Sequence, residues 1–320
     1  MAGLKRIYKK LMRVPNDVQL YELVAARRVG SDFAITCRGK TDGAGAQANA
    51  CITGMAFAQA MGIGYVHTPF QSIQHAVGDK AAWTARWEGF FGLGQGETIV
   101  ASDHAAYGLK HFLDNSALWK NHGSTVAAAH FEGVCNQYTD FYTAIIPRLR
   151  EKYAVSDKSG IALDRGDEQV TVAVHIRRGD VSKDDAVTGG RFSDDAHLVQ
   201  KIREIRQVMD SLGLTARINV YSQGRAEDFA DFAELGCHLQ INKDAFETFH
   251  NLVKSDVLVT AKSAFSFVAG LLSEGVKIYE PFAKQPPADW LVSEIDQPID
   301  KARFAEKIRA LKARQIDPVM

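Results

Sequence analysis

Residues Val170 to Ile176 read Val-Thr-Val-Ala-Val-His-Ile and run directly into Arg177, Arg178, Gly179 and Asp180. An apolar, β-branched run with no polar alternation has no solvent face. It therefore predicts a strand buried on both sides, as in a parallel sheet covered by helices. Ligands of open α/β sheets collect just beyond the carboxyl ends of such strands. Here that end carries a histidine, two guanidinium groups, a glycine and a carboxylate. A guanidinium fork grips phosphate oxygens bidentately and never loses its charge, so the segment reads as an anion clamp suited to a diphosphate. A plainer structure stays open, in which Arg177 or Arg178 is paired with Asp180 or another acid at the sheet edge.

From about residue 168 the pattern becomes regular, with short β-branched runs alternating with amphipathic stretches, as parallel βαβ units require. The loop from Arg177 to Arg191 leads to a predicted helix on which Leu198, Ile202, Ile205, Met209 and Leu212 share a face, with Ser193 as N-cap and Asp194 and Asp195 in its first turn. A strand at Ile218 to Ser222, a helix bearing Phe229 and Phe232 and an apolar run at Leu239 to Ile241 follow. Asp244 and Glu247 form a capping-box pair before a helix burying Phe246, Phe249 and Val253. A strand at Val257 to Thr260, a helix from Ser263 to Glu274 and a strand at Val276 to Tyr279 complete this Rossmann-like half. The first half is also α/β, with strands at Phe33 to Thr36, Ile63 to Val66 and Thr98 to Val100 and a helix at Gly45 to Met61. The charged, glycine-bearing stretch Ser156 to Glu168 marks the boundary between domains at 1–160 and 161–320. Pro281 to Pro287 introduces the tail, and Phe304, Ile308 and Leu311 define a last amphipathic helix able to cross back onto the first domain.

Two domains of about 150 residues suit a chain of 320 residues. Non-specific nucleic-acid binding needs a surplus of basic charge, and the 38 basic side chains are balanced by 38 acidic ones, so that class is disfavoured. Cys37, Cys51, Cys135 and Cys237 are far apart and form no C-x-x-C pair, which fits small buried hydrophobes in a reducing compartment. With no apolar run of membrane-spanning length and no export signal, a soluble, cytoplasmic protein is expected. Residues 4–13 are the exception: Leu4, Ile7, Tyr8 and Leu11 share a helical face among five basic residues, a pattern that can touch an anionic membrane or simply pack on its own domain.

A second polar constellation lies at Asp256 to Ser266, where a strand feeds a helix whose first N–H groups, with Ser263 and Ser266, suit phosphate; an ordinary N-cap is the alternative. A third is Asp42-Gly43-Ala44-Gly45-Ala46-Gln47, a glycine-rich turn after a strand, where backbone can approach a ligand and Gln47 can read a polar group. It is neither a phosphate loop nor a G-x-G-x-x-G fingerprint. Gly92 to Gly96 precedes a strand and reads as a turn. No D-x-D or H-E-x-x-H pattern offers a metal site. Asp180, Glu88, His104 and Asp184 are candidate general bases by loop position, with nothing to choose among them.

The three constellations, in this order, resemble the peptide blocks of the fucosyltransferase superfamily of α1,2-, α1,6- and protein O-fucosyltransferases. His175 to Asp180 resembles its H-x-R-R-x-D block, Ile218 to Ser222 its second block, Asp256 to Ser266 its third, and Asp42 to Gln47 its G-x-x-G-N-Q turn. Asp42 replaces the leading glycine and Ala46 an asparagine that faces the sugar in some members. The resemblance implies a GT-B-like pair of Rossmann-type domains and an inverting, metal-independent enzyme without a cofactor, using GDP-fucose on a glycan or other hydroxyl acceptor. It implies Arg177 on the β-phosphate as the catalytic electrophile and His175 near the nucleoside. It also implies Asp256 near the guanine, with Arg178, Ser263, Phe265, Ser266, Gly43, Gly45 and Gln47 at the donor. A non-catalytic nucleotide- or glycan-binding module is the alternative, favoured by Ala46. An NAD-dependent oxidoreductase lacks its glycine fingerprint and acidic ribose partner.

Overall fold

The computed structural model describes residues 14–120, 123–184, 189–294 and 297–316, so the basic segment 4–13 lies outside the described residues. The chain forms two compact units, Met1–Lys152 and Tyr153–Met320, the division falling inside the helix Asp140–Val155. Each unit is a parallel sheet flanked by helices, the Rossmann-type α/β pairing of a GT-B-like chain. Among the described residues no helix is long and apolar enough to cross a membrane.

In the first unit, strands β1 (Ala34–Cys37), β2 (Gly64–His67), β3 (Thr98–Ile99), β4 (Tyr107–Gly108) and β5 (Thr125–Ala128) lie in the order β3-β2-β1-β5-β4. The helix Ala44–Met61 connects β1 to β2 and is almost wholly buried. Its small residues allow that: a Cβ on Gly54 would sit 2.6 Å from the Cys37 sulfur. A helix apolar all round belongs in a core. The helix Lys80–Phe91 is capped by the Asp79 carboxylate, which accepts the Ala82 N–H at 2.8 Å. It stacks Trp87 on Phe91 with ring centroids 5.3 Å apart.

The second unit adds β6 (Val170–His175), β7 (Ala216–Ser222), β8 (His238–Ile241), β9 (Val257–Val259), β10 (Val276–Tyr279) and β11 (Leu291–Val292), in the order β11-β10-β9-β6-β7-β8. All its pairings are parallel. The chain winds outward from β6 through β7 to β8, then returns to the middle and winds the opposite way from β9. This is the two-half order of a dinucleotide-binding sheet, and its reversal point is the gap between β6 and β9. The alternating helices arise as the pattern predicts, with Leu198, Ile202, Ile205 and Met209 buried on the helix Asp195–Ser211.

One detail differs from expectation. The N-cap of that helix is Asp194, whose carboxylate accepts the Ala196 N–H at 2.8 Å, because the Ser193 hydroxyl is already donated to Glu280. The last helix, Lys301–Ile316, buries Phe304, Ile308 and Leu311 in the core of the second unit. Loss of one N-cap costs about 1 kcal/mol. Asp194→Ala is accordingly expected to lower the urea midpoint modestly without changing the slope of the transition.

Candidate functional site

The reversal point between β6 and β9 brings together the loops that follow those two strands. His175 ends β6, in register with Tyr221 of β7. Its ring lies 5.6 Å from that of Phe265 in the first turn of the helix Ala264–Leu272, and Phe265 in turn meets Phe249 edge-on at 5.0 Å. The Nδ1 of His175 is covered and has no hydrogen-bond partner in the structure. Burial, with a smaller contribution from the Arg177 charge, pulls its pKa down to about 4. The imidazole is thus neutral at physiological pH.

Arg177 donates to Asp180 through Nε at 3.1 Å and Nη2 at 2.6 Å. The intervening turn needs its glycine: Gly179 has φ +84°, and a Cβ there would lie 2.7 Å from the Gln223 amide oxygen. Arg178 points to other partners. It donates to the Ser193 carbonyl at 2.9 Å and to Asp195 at 2.6 Å, and its guanidinium lies 3.9 Å from the centroid of the Phe192 ring. Both arginines therefore realise the ion-pair alternative, Arg178 with additional carbonyl and aromatic contacts. Arg178 braces the loop through these contacts, and its carboxylate partner is 37% exposed. Arg177 is held by one carboxylate that is 42% exposed, a partner that an arriving anion can displace.

On the opposite side, Lys262 donates to the Phe192 carbonyl at 3.2 Å and lies 3.4 Å from the buried carboxylate of Glu280, which follows β10. Glu280 also receives the Ser193 hydroxyl. Phe192 and Ser193 are thereby tied from both sides of the reversal point. Lys262 and Glu280 were missed as site residues, although both stand just past the carboxyl ends of strands, the position that singled out Arg177. Ser263 caps the helix, its Oγ accepting the Phe265 N–H at 3.1 Å. Ser266 is fully buried and exchanges hydrogen bonds with the Ala261 backbone at 3.1 and 3.2 Å. It shapes the turn and cannot offer its hydroxyl to a ligand, which corrects that assignment.

Asp256 requires a larger correction. It precedes β9 and lies at the amino edge of the sheet, where its carboxylate accepts the Thr171 N–H at 2.8 Å and the Gln315 amide at 2.6 Å. Four residues of strand, roughly 13 Å, separate it from Thr260 at the carboxyl edge. It cannot share a site with Arg177.

In the first unit, the helix after β1 begins at Ala44, one residue earlier than expected, with Gly43 as N-cap and Gly45 inside its first turn. Gln47 is buried and closes the turn, its amide donating to the carbonyls of Asp42 at 2.7 Å and Ser72 at 2.6 Å. Those donors are unavailable to a ligand. Among the candidate bases, Glu88 receives His67 Nε2 at 2.8 Å and the Phe70 N–H at 2.9 Å, and His104 pairs with the Thr125 hydroxyl at 3.1 Å. Asp180 holds Arg177, and Asp184 is exposed.

The depressed imidazoles predict a pH effect on stability. His175 and His250 both have folded pKa values of about 4, chiefly through burial, against an ordinary value of 6.5. As pH falls through that window the unfolded chain takes up protons that the folded chain refuses, so stability declines from pH 6.5 to 4 and levels off below. Each imidazole contributes a slope of about 1.4 kcal/mol per pH unit where it is steepest. Urea midpoints measured at pH 7 and 4.5 are expected to differ strongly, and His175→Asn to remove roughly half of that difference.

No family model and no curated protein matches the chain. Among solved structures it is similar to an Arabidopsis thaliana FUT1 mutant in complex with GDP, at 10% identity and a TM-score of 0.41, over 89% of this chain and 78% of that one. It is also similar to the fucosyltransferase NodZ from Bradyrhizobium, at 11% identity and a TM-score of 0.36, over 76% of this chain and 94% of that one. A third likeness is to the wall teichoic acid polymerase TagF, at 11% identity and a TM-score of 0.28, over 98% and 92%. At these scores and identities the likenesses carry no argument about the site.

Proposed function

We propose that this protein is a glycosyltransferase that binds a nucleoside diphosphate sugar at the β6/β9 reversal point, with GDP-fucose as donor and a glycan or other hydroxyl as acceptor. The observation that carries the proposal is the pairing, at that point of a dinucleotide-type sheet, of an exchangeable guanidinium on one loop with a capped helix N-terminus on the other. The choice of sugar rests on the resemblance of His175 to Asp180 to the fucosyltransferase block.

In the reaction, an acceptor oxygen forms a bond to the anomeric carbon from the face opposite the leaving group, and the bond from that carbon to the β-phosphate oxygen breaks. Negative charge collects on the departing diphosphate, and the acceptor proton leaves to a base. Arg177 exchanges Asp180 for the phosphate oxygens and meets this charge with two parallel donors. The N-terminal end of the helix Ala264–Leu272 adds positive potential through its dipole. Such donors assist most when they need no rearrangement as charge develops. The ties from Arg178, Lys262 and Glu280 to Phe192 and Ser193 hold the loop in advance. In this reading the chain itself supplies the positive charge, and transfer proceeds with inversion and without a metal.

A second reading, a module that binds the nucleotide sugar without turning it over, is favoured by Ala46 in place of the asparagine of the resembling turn. Titration with GDP, GDP-fucose, GDP-mannose and UDP-glucose in the presence of EDTA tests the donor assignment. GDP and GDP-fucose are expected to bind in preference to UDP-glucose, and failure of any guanine nucleotide to bind would overturn it. Release of GDP from GDP-fucose upon addition of acceptor glycans separates an enzyme from a module.

A further inference from the structure

The first unit has its own reversal point, because the chain passes outward from β1 through β2 to β3 and then crosses to β4 and β5 on the other side of β1. A pocket opens there, at the carboxyl edge of the sheet, lined by residues at the ends of β1, β2 and β5 and by Gln47, Ala50 and Cys51 of the helix Ala44–Met61. Arg38, Gly39 and Lys40 come from the first loop, Thr68, Phe70 and Gln71 from the second. No acidic side chain lines it, and Arg38 and Lys40 are its basic members.

Arg38 is the informative member. Its Nη1 donates to the carbonyls of Ser102 at 3.1 Å and His104 at 2.7 Å, which fix the guanidinium plane without neutralising it. Among the described residues no carboxylate pairs with it, unlike Arg177 and Arg178. Lys40 reaches only Asp42, at 3.1 Å, and that carboxylate is 54% exposed outside the pocket wall. Gly39, with φ +86°, turns the chain sharply between the two cations. A part-buried, oriented arginine at a strand tip, with no carboxylate partner among the described residues, keeps its remaining donors for an anion.

We infer that this pocket of the first unit binds an oxyanion, a carboxylate or phosphate group carried by a small ligand, independently of the site at Arg177. Under the proposed function, that ligand is the acceptor, which then carries an acidic group. The identification with the acceptor rests on that function, whereas the affinity for oxyanions does not.

Ligand-observed NMR with sodium glucuronate, inorganic phosphate and neutral glucose tests it, each probe applied to the wild type, Arg38→Gln, Gln71→Glu and Arg177→Ala. Glucuronate or phosphate is expected to bind more tightly than glucose, and the better of the two identifies the group. That binding is expected to weaken about tenfold or more in Arg38→Gln, as loss of a charge-assisted donor pair implies. It is expected to weaken also in Gln71→Glu, which adds a negative charge at an exposed wall position, and to survive in Arg177→Ala. Binding no tighter than that of glucose overturns the inference, as does binding lost in Arg177→Ala but kept in Arg38→Gln. Should Arg38→Gln unfold, Gln71→Glu decides. GDP titration of the same variants reports on the second unit separately, so failure of one site is not confused with failure of the other.

Discussion

Replacing Arg177 by alanine is expected to weaken GDP binding about 10- to 100-fold while leaving the thermal midpoint nearly unchanged, and replacing Arg178 is expected to do the reverse. The two residues are adjacent and chemically identical, so the contrast isolates geometry. Arg177 is bound only to a half-exposed carboxylate across a three-residue turn, an ion pair of the kind that adds little to stability. Its removal takes away the charged donors offered to phosphate, worth roughly 1.5–3 kcal/mol. Arg178 joins the end of the long loop to the start of the helix Asp195–Ser211 through a carbonyl, a carboxylate and an aromatic face. Losing all three costs about 2–3 kcal/mol, or a fall of about 4–10 °C in the midpoint of a unit this size. Differential scanning fluorimetry beside GDP titration reads both quantities. Equal loss of binding in the two variants, with no change in either midpoint, would refute the division of labour.

A larger stability effect is expected at Gly275, between the helix Ala264–Leu272 and β10. A Cβ on this residue would lie 2.6 Å from the Asp256 carbonyl oxygen and closer still to that of Ser255. Both obstacles are backbone at the entry to β9, and the Asp256 carbonyl is also the acceptor for the Val276 N–H at 2.8 Å. No rotamer relieves such a contact, so β9 and β10 must separate at their amino edge. Gly275→Ala is expected to cost about 3 kcal/mol or more, with a drop in midpoint of roughly 6–12 °C. The site lies at the other edge of the sheet, so GDP affinity at low temperature is expected to change much less than stability.

The second unit was legible because β6 and β9 are β-branched, largely apolar runs and most of its helices announce themselves with a cap and a 3.6-residue repeat. Asp244 illustrates this, accepting the Phe246 and Glu247 N–H groups as its spacing predicts. The first unit was harder to read. Its strands are two to four residues long, and β5 reads Thr-Val-Ala-Ala, a segment with little strand preference whose burial comes from neighbours distant in sequence. At the site, strand tips were recognisable but strand ends were not distinguishable. Asp256 and Ser263 belong to one continuous segment, yet a three-residue strand places them on opposite edges of the sheet. Likewise, no local signal tells Arg178 from Arg177, because the acid that claims Arg178 is Asp195, on the far side of a long loop.

Under the proposed function, the clasp between Arg177 and Asp180 also makes the protein its own first inhibitor. A carboxylate held three residues away stands in for a competing anion whose effective concentration is fixed by the chain and cannot be diluted. Chloride or a lone carboxylate in solution offers the guanidinium nothing better than it already holds. A diphosphate, with more charge and several oxygens in reach of the fork, does. The protein thus gives up some affinity for every anion in exchange for indifference to the simple ones, and its selectivity begins before any contact with base or sugar.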